Sequence, residues 1–157
     1  MKYQNIEVIF CDVDGTLTDG RLYYSENGET MKVFHVKDGH GIKNWQKMGK
    51  KFCVITARSS NIILKRMDEL GVSEVKMGSK NKVADISKWL EKNEYTWNQV
   101  AYIGDDINDL GPMHKASFAA APADAVRDVR ESVEYVCNTP GGLGCVREMI
   151  DLLLGIN

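Results

Sequence analysis

Four short apolar runs, Val8–Cys11, Phe52–Ile55, Glu74–Met77 and Val100–Ile103, mark the chain at intervals and predict strands of the buried type. Between them, Gly41–Met48, Asn61–Leu70 and Lys82–Leu90 carry apolar residues at helical spacing. In the second of these, Ile62, Ile63, Arg66, Met67 and Leu70 fall on one stripe, and Gly71 follows as a helix stop. Ser117–Ala121 predicts an edge strand and Val146–Leu154 a terminal helix. Strand, helix, strand in repetition predicts an α/β protein: a three-layer, Rossmann-like parallel sheet with helices on both faces.

The segment Arg21–Val36, "RLYYSENGETMKVFHV", breaks that rhythm. Its two alternating runs flank Asn27-Gly28, a strong two-residue hairpin signal. A hairpin insertion over about residues 20–36 is too small to be a domain. With no internal repeat and no low-complexity tract, residues 1–157 are expected to form a single domain without a cap domain.

Composition narrows the function classes. The chain is 43% hydrophobic and 27% charged, ordinary for a soluble globular protein, with a net charge of −2 and signs well mixed. That balance gives no electrostatic case for nucleic acid or for an anionic membrane. No apolar run approaches spanning length, and charged and polar residues interrupt the first ten positions, so no signal peptide is expected. Cys11, Cys53, Cys137 and Cys145 lack metal-type spacing and predict reduced core thiols in a cytoplasmic protein.

The first strand runs straight into "DVDGTLTDG", with Asp12, Asp14 and Asp19 close together. Like charges a few ångströms apart repel by about 4 kcal/mol at an effective dielectric near 20, so such a knot needs compensation. In an open parallel sheet, ligands bind beyond the carboxyl ends of the strands, where Asp12 is expected. Asp14 lies two residues on and projects the same way in extended chain. The pattern returns where "VAYIG" runs into Asp105 and Asp106, with Asp109 one turn later. Two strand ends finishing in carboxylates at one rim call for a hard cation. Mg²⁺ is the usual partner when one or two carboxylates bind it beside a phosphate. Asp-Gly pairs are also ordinary turn formers, and either cluster alone could be a solvated loop. An EF-hand fits poorly, because no glutamate stands twelve positions in.

Four elements occur in order: "DVDGTLTDG", Thr56 after "FCVIT", Lys82 in "GSKNKV", and "GDDINDL". Together they resemble the four motifs of the haloacid dehalogenase superfamily over nearly the whole chain. The hairpin, "VKDGHGI" and the tail "PGGLGCVRE" are similar to the small tetrameric sugar-acid phosphatases of that superfamily, the 3-deoxy-D-manno-octulosonate 8-phosphate phosphatases foremost. "AYIGDDINDL" and "GGLGCVRE" are also similar to nonulosonate 9-phosphate phosphatases of sialic-acid-type routes.

The resemblance implies a fold, a reaction and a set of roles. Asp12 would attack phosphorus to form an aspartyl-phosphate, and Asp14 would protonate the leaving oxygen and then activate water. Mg²⁺ would sit among Asp12, the carbonyl of Asp14 and Asp105. Lys82 and Thr56 would hold phosphoryl oxygens, Asp109 would orient Lys82 or a metal-bound water, and Asp106 would serve there or cap the following helix. Substrate contacts are expected from Arg58, Arg66, Lys43 and the segment His35-Val36-Lys37-Asp38-Gly39. The phosphatases carry Asn-x-Arg-Asp-Gly in that segment, so His35 and Lys37 are departures, as is Lys43 for a further arginine. They keep positive charge and lose the planar fork suited to a carboxylate. Gly141-Gly142-Leu143-Gly144 replaces Gly-Gly-Arg-Gly, and Arg147 is either functional or paired on its own helix. A homotetramer is implied, with Leu22, Tyr24, Val33 and Phe34 of the hairpin covered by neighbouring subunits. A non-catalytic oligomerisation module is the rival of another class; retention of Asp12, Asp14, Lys82 and Asp105 weighs against it.

Overall fold

The structure is a computed structural model and describes residues 3–156. Its centre is a six-stranded parallel sheet built from β1 (Val8–Cys11), β4 (Lys51–Ile55), β5 (Glu74–Lys76), β6 (Val100–Ile103), β7 (Phe118–Ala121) and β8 (Tyr135–Val136). Across the sheet the strands run β5-β4-β1-β6-β7-β8. The chain builds outward from β1 through β4 to β5, then returns to the other side of β1 for β6. That reversal makes the carboxyl ends of β1 and β6 a topological switch point, where such sheets open a crevice.

Alternate residues of each strand feed two separate cores. Ile9, Cys11, Phe52, Val54, Ala101 and Ile103 face one side, covered by α1 (Val36–Lys47), α2 (Asn61–Leu70) and α6 (Cys145–Leu154). Val8, Phe10, Cys53, Ile55, Val100 and Tyr102 face the other, covered by α3 (Lys82–Lys92), α4 (Leu110–Lys115) and α5 (Arg127–Ser132). Burial on both faces is why these strands read as unbroken apolar runs. All four cysteines are free and buried. Among the described residues, no helix is long and apolar enough to cross a membrane.

Local chemistry sets the helix boundaries. His35 caps α1, its Nδ1 accepting from Lys37 N at 3.2 Å. Ser60 caps α2 through Ile62 N, and Gly71 ends that helix in the left-handed region. Asn81 caps α3, accepting from Ala84 N at 3.0 Å.

Two sequence expectations need correction. The strand at Phe118–Ala121 is not at the edge, because the two-residue β8 pairs beyond it. The first helix begins at Val36, five residues before the expected Gly41, and runs through both Gly39 and Gly41. Those glycines mark close packing rather than a break. A Cβ on Gly41 would lie 2.9 Å from Arg147 Cδ and 3.1 Å from Arg147 Cα, and one on Gly39 would lie 2.6 Å from Arg66 Nη2. The hairpin is present as β2 (Tyr23–Ser25) and β3 (Gly28–Met31), with Glu26 and Asn27 as its turn and Gly28 opening the second strand at φ 106°.

Gly41→Ala is expected to destabilise the fold by about 1–3 kcal/mol through overpacking against α6. That exceeds the gain of roughly 1 kcal/mol that alanine brings to a helix interior. A urea midpoint equal to that of the parent would show that α6 gives way without cost.

Candidate active site

Three strand ends supply the site. After Cys11 the chain delivers Asp12, whose N–H still bonds Ile103 O at 3.0 Å, and then folds tightly, with Thr16 N and Thr18 N both donating to Val13 O. Gly15, at φ 95°, permits this turn. A Cβ there would sit 2.0 Å from Asp105 Oδ2, so the glycine also lets the carboxylate of the β6 loop approach the β1 loop.

Past β6, Asp109 organises the loop from the inside. It is fully buried, with Oδ2 accepting from Asp105 N and Asp106 N at 3.0 and 3.2 Å. Its Oδ1 accepts from Tyr102 Oη at 2.5 Å and from Lys82 Nζ at 2.7 Å. Gly104 makes room for it, since a Cβ there would lie 2.3 Å from Asp109 Cγ. Asp106 is exposed and caps the single turn Ile107–Asp109, accepting from Ile107 N at 2.7 Å.

Lys82, the first residue of α3, is buried and donates at 2.7 Å both to Asp12 Oδ1 and to Asp109 Oδ1. Burial alone would lower its pKa, but Asp12 and Asp109 outweigh that and raise it, so the group stays an ammonium. Three carboxylates converge beside it: one oxygen from each of Asp12, Asp105 and Asp109 lies within 4.8 Å of the others. Burial, then the nearby Asp109, pushes the Asp12 carboxyl above its ordinary value despite Lys82. Burial, then Asp12, Asp109 and Asp106, pushes Asp105 up as well. Asp105 Oδ1 is buried without a hydrogen-bond partner. Both oxygens of Asp109 are engaged, so Asp12 and Asp105 are the pair with oxygens free for a cation. An orphaned buried oxygen within an uncompensated acidic group fits a hard divalent ion well.

Thr56, at the end of β4, is buried, its N–H bonded to Lys76 O and its carbonyl to Ser79 N. Its Oγ1 accepts from Arg58 N at 3.2 Å, leaving the hydroxyl proton available to donate. Asp14 turns away from the acidic group toward the hairpin. Its Oδ1 accepts from Lys32 Nζ, which also lies 2.9 Å from Glu29 Oε1. Arg58 Nε lies 3.8 Å from Asp14 Oδ2, and its Nη2 lies 3.6 Å from Glu29 Oε1 and donates to Tyr24 Oη at 2.9 Å. Lys32, Glu29 and Tyr102 do not stand out in the sequence, and Tyr24 stands out there only as part of the apolar surface of the hairpin. The Lys32 side chain, just past β3, is 1% exposed.

The structure therefore brings Asp12, Asp14, Thr56, Arg58, Lys82 and Asp105 to one rim, with Asp109 beneath them. The remaining expected residues sit on α1 and α2 in other surroundings. His35 is occupied as a cap, and Lys37 and Lys43 are exposed. Asp38 is buried and accepts from Arg147 N at 2.8 Å; burial pushes its carboxyl up to about 6. Arg66 packs on Gly39, pairs with Glu69 at 3.3 Å and stands over the Phe34 ring. In the tail, a Cβ on Gly141 would lie 1.9 Å from Gly15 O, and Gly142 N donates to Thr16 O at 2.9 Å. The glycines thus let the tail lie on the β1 loop of its own chain. Arg147 pairs with Asp151 on the terminal helix, and Leu143 is exposed.

No protein-family model matches the chain. It is 39% identical over 153 residues to the 3-deoxy-D-manno-octulosonate 8-phosphate phosphatase of Escherichia coli strain K12, covering 98% of this chain and 81% of that one. The Haemophilus influenzae counterpart matches at the same identity, with 98% and 85% covered. Among solved structures, the cobalt-bound deoxy-D-mannose-octulosonate 8-phosphate phosphatase of Haemophilus influenzae superposes with a TM-score of 0.95 at 38% identity, covering 99% and 91% of the two chains. The Moraxella catarrhalis 3-deoxy-D-manno-octulosonate 8-phosphate phosphatase, in complex with a magnesium ion, a phosphate ion and a KDO molecule, gives 0.95 at 33% identity, covering 99% and 90%.

Because Asp12 and Asp105 hold protons in the fold that the unfolded chain has already released, metal-free stability should fall as pH rises from the ordinary aspartate value of 3.8 into the neutral range. Mg²⁺ should reverse that fall. Thermal melts from pH 5 to 8, with Mg²⁺ and with EDTA, test this; a Mg²⁺ stabilisation that does not grow with pH would count against a cation at these two groups.

Proposed function

The chain belongs to the 3-deoxy-D-manno-octulosonate 8-phosphate phosphatase family of the haloacid dehalogenase superfamily, and on that basis we propose that it is a Mg²⁺-dependent phosphomonoesterase releasing phosphate from 3-deoxy-D-manno-octulosonate 8-phosphate. One observation carries the proposal: Asp12 is fixed by a buried lysine, beside an Asp105 oxygen that has no partner in the protein.

Phosphate monoesters hydrolyse extremely slowly unaided, and passing the phosphoryl group through a carboxylate divides the barrier into two steps. Lys82 holds Asp12 by Oδ1, presenting the carboxylate of the nucleophile to phosphorus. An ammonium has three donors; two of those of Lys82 are committed to Asp12 and Asp109, and the third is left for a phosphoryl oxygen. The Thr56 hydroxyl donates to a second. Asp14 gives its proton to the departing sugar oxygen and later accepts one from the attacking water. Asp12 and Asp105 would hold Mg²⁺, whose positive charge would neutralise the phosphoryl oxygens. These groups are fixed before substrate arrives, so charge developing in transfer meets oriented donors rather than mobile water.

Arg58, beside Asp14 on the rim, is the cation best placed to meet the sugar-acid carboxylate. Arg66, Lys37 and Lys43 would contribute only if the sugar or a neighbouring subunit extends over α1. A nonulosonate 9-phosphate is the disfavoured alternative, since the 39%-identical relatives are octulosonate phosphatases. The free, buried cysteines support a reducing, cytoplasmic setting.

A homotetramer is supported by the apolar surface around the hairpin. Leu22, Tyr24, Met31, Val33 and Val36 are all exposed, Leu22 by 50% and Val36 by 77%. Phe34 is not part of it, being half-buried against the core. A surface of that kind on one small chain marks an interaction site.

With Mg²⁺, phosphate release from the octulosonate 8-phosphate should exceed that from a nonulosonate 9-phosphate by at least about tenfold, and Asp12→Asn should abolish both; release by Asp12→Asn at the parent rate would refute the nucleophile. Light scattering should give the mass of four chains, and a monodisperse monomer with full activity would refute the tetramer.

A further inference from the structure

The hairpin lysine, Lys32, has no assigned part in the reaction, yet it is a second buried cation near the rim, in addition to Lys82. Its side chain is 1% exposed, and it reaches back from the end of β3 to Asp14 Oδ1 while Glu29 Oε1 lies 2.9 Å from its ammonium. Hydrogen bonds from Ser60 and Lys32 hold the Glu29 carboxyl low against the opposing pull of burial, and Arg58 lies 3.6 Å away. The Lys32 ammonium is therefore held between two carboxylates. The other oxygen, Asp14 Oδ2, is buried and has no hydrogen-bond partner, with Arg58 Nε at 3.8 Å. The two oxygens of one carboxyl are thus unequal: the first is hydrogen-bonded to the hairpin lysine, and the second has only the longer Arg58 ion pair.

We propose that Lys32 is a positioning residue for phosphoryl transfer, one that clamps Asp14 by Oδ1 so that Oδ2 alone faces the leaving oxygen and, later, the attacking water. This rests on the phosphatase reading above. In the first step an Asp12 oxygen bonds to phosphorus, the bond from phosphorus to the leaving oxygen breaks, and that oxygen takes the Oδ2 proton. In the second step water bonds to phosphorus, the Asp12–phosphorus bond breaks, and the water proton passes to Oδ2. A lysine on the insertion, rather than on the sheet, thereby decides the aim of the acid–base group. Without it, the carboxyl is free to rotate about its terminal torsion, which has no strong rotamer preference. A misaimed proton donor matters most when the leaving group needs a proton.

Lys32→Met, Lys32→Arg and Glu29→Gln separate this from a packing role, each measured with Mg²⁺ on the alkyl octulosonate 8-phosphate and on p-nitrophenyl phosphate. General acid–base assistance is commonly worth 10²–10⁴-fold, so Lys32→Met should lower kcat on the sugar phosphate by about a hundredfold with KM little changed. On p-nitrophenyl phosphate, whose leaving group departs without a proton, it should give a rapid burst of nitrophenolate near one equivalent, followed by slow turnover. Lys32→Arg should restore most of the sugar-phosphate rate, and Glu29→Gln should show a weaker form of the same burst. Equal losses on both compounds without a burst, or no loss in any variant, would overturn the assignment. If Lys32→Met fails to fold, the burst in Glu29→Gln decides: its absence overturns the proposal. A parent protein inactive on both compounds would refute the phosphatase reading itself, and the role of Lys32 would fall with it.

Discussion

Lys82 places one ammonium 2.7 Å from Asp12 and 2.7 Å from Asp109, in a region closed to solvent on nearly every side. The rest of the site follows from what that cation can and cannot balance. At an effective dielectric near 20, unit charges about 4 Å apart interact by ~4 kcal/mol, so three converging carboxylates repel strongly in every pair. One lysine offsets part of this. Three carboxylates and one ammonium still leave two negative charges, and the fold has only two ways to remove them: retain protons on Asp12 and Asp105, or admit one divalent cation. The raised pKa values of those two groups and the partnerless Asp105 oxygen are the two faces of that single imbalance. Asp109 stands outside the choice, because Tyr102, Lys82 and two backbone N–H groups already satisfy it.

Holding such a group together requires loops that cannot relax apart. Gly15 and Gly104 let the β1 and β6 loops close until carboxylates touch backbone. The tail then locks the β1 loop from behind, through Gly142 N on Thr16 O, the contact of Gly141 with Gly15 O, and Cys145 Sγ on Thr16 O at 3.3 Å. Two residues further on, Arg147 N bonds Asp38 at the start of α1. The C-terminal segment therefore braces both the β1 loop that carries Asp12 and the first helix. A deformation of the tail would be transmitted to Asp12 without any tail residue touching a ligand.

Much of this was legible in the sequence where the physics is local or strongly patterned. β1 and β6 fall on the expected bounds because strands buried on both faces must be apolar throughout. Asp12 and Thr56 could be placed because each directly follows such a strand, Asp105 because it lies one glycine beyond β6, and Lys82 because it opens α3. The short elements escaped: α4 holds Gly111 and Pro112 in six residues, and β8 has only two residues, too few to show any period. The start of α1 was hidden by Gly39 and Gly41, which weaken helix propensity in order to admit Arg66 and Arg147. Lys32 escaped for a different reason. Alternation tells which face of a hairpin a residue occupies, but not that Lys32 reaches Asp14 and that Tyr24 and Glu29 meet Arg58.

That placement gives Asp14 a setting that the sheet alone does not provide. The sheet holds Asp12 rigidly, because the residue is pinned by its backbone to β6 and by its side chain to α3. The hairpin supplies the opposing wall, because Lys32, Glu29 and Tyr24 reach Asp14 and Arg58. Asp12 and Asp14 are neighbours in sequence, yet their side chains are held by different elements with opposite attachments. One is drawn toward the buried lysine of the core and the other toward the buried lysine of the insertion. Two carboxyls only two residues apart are thereby kept from collapsing onto the same cation, which is the condition for giving them different chemical tasks.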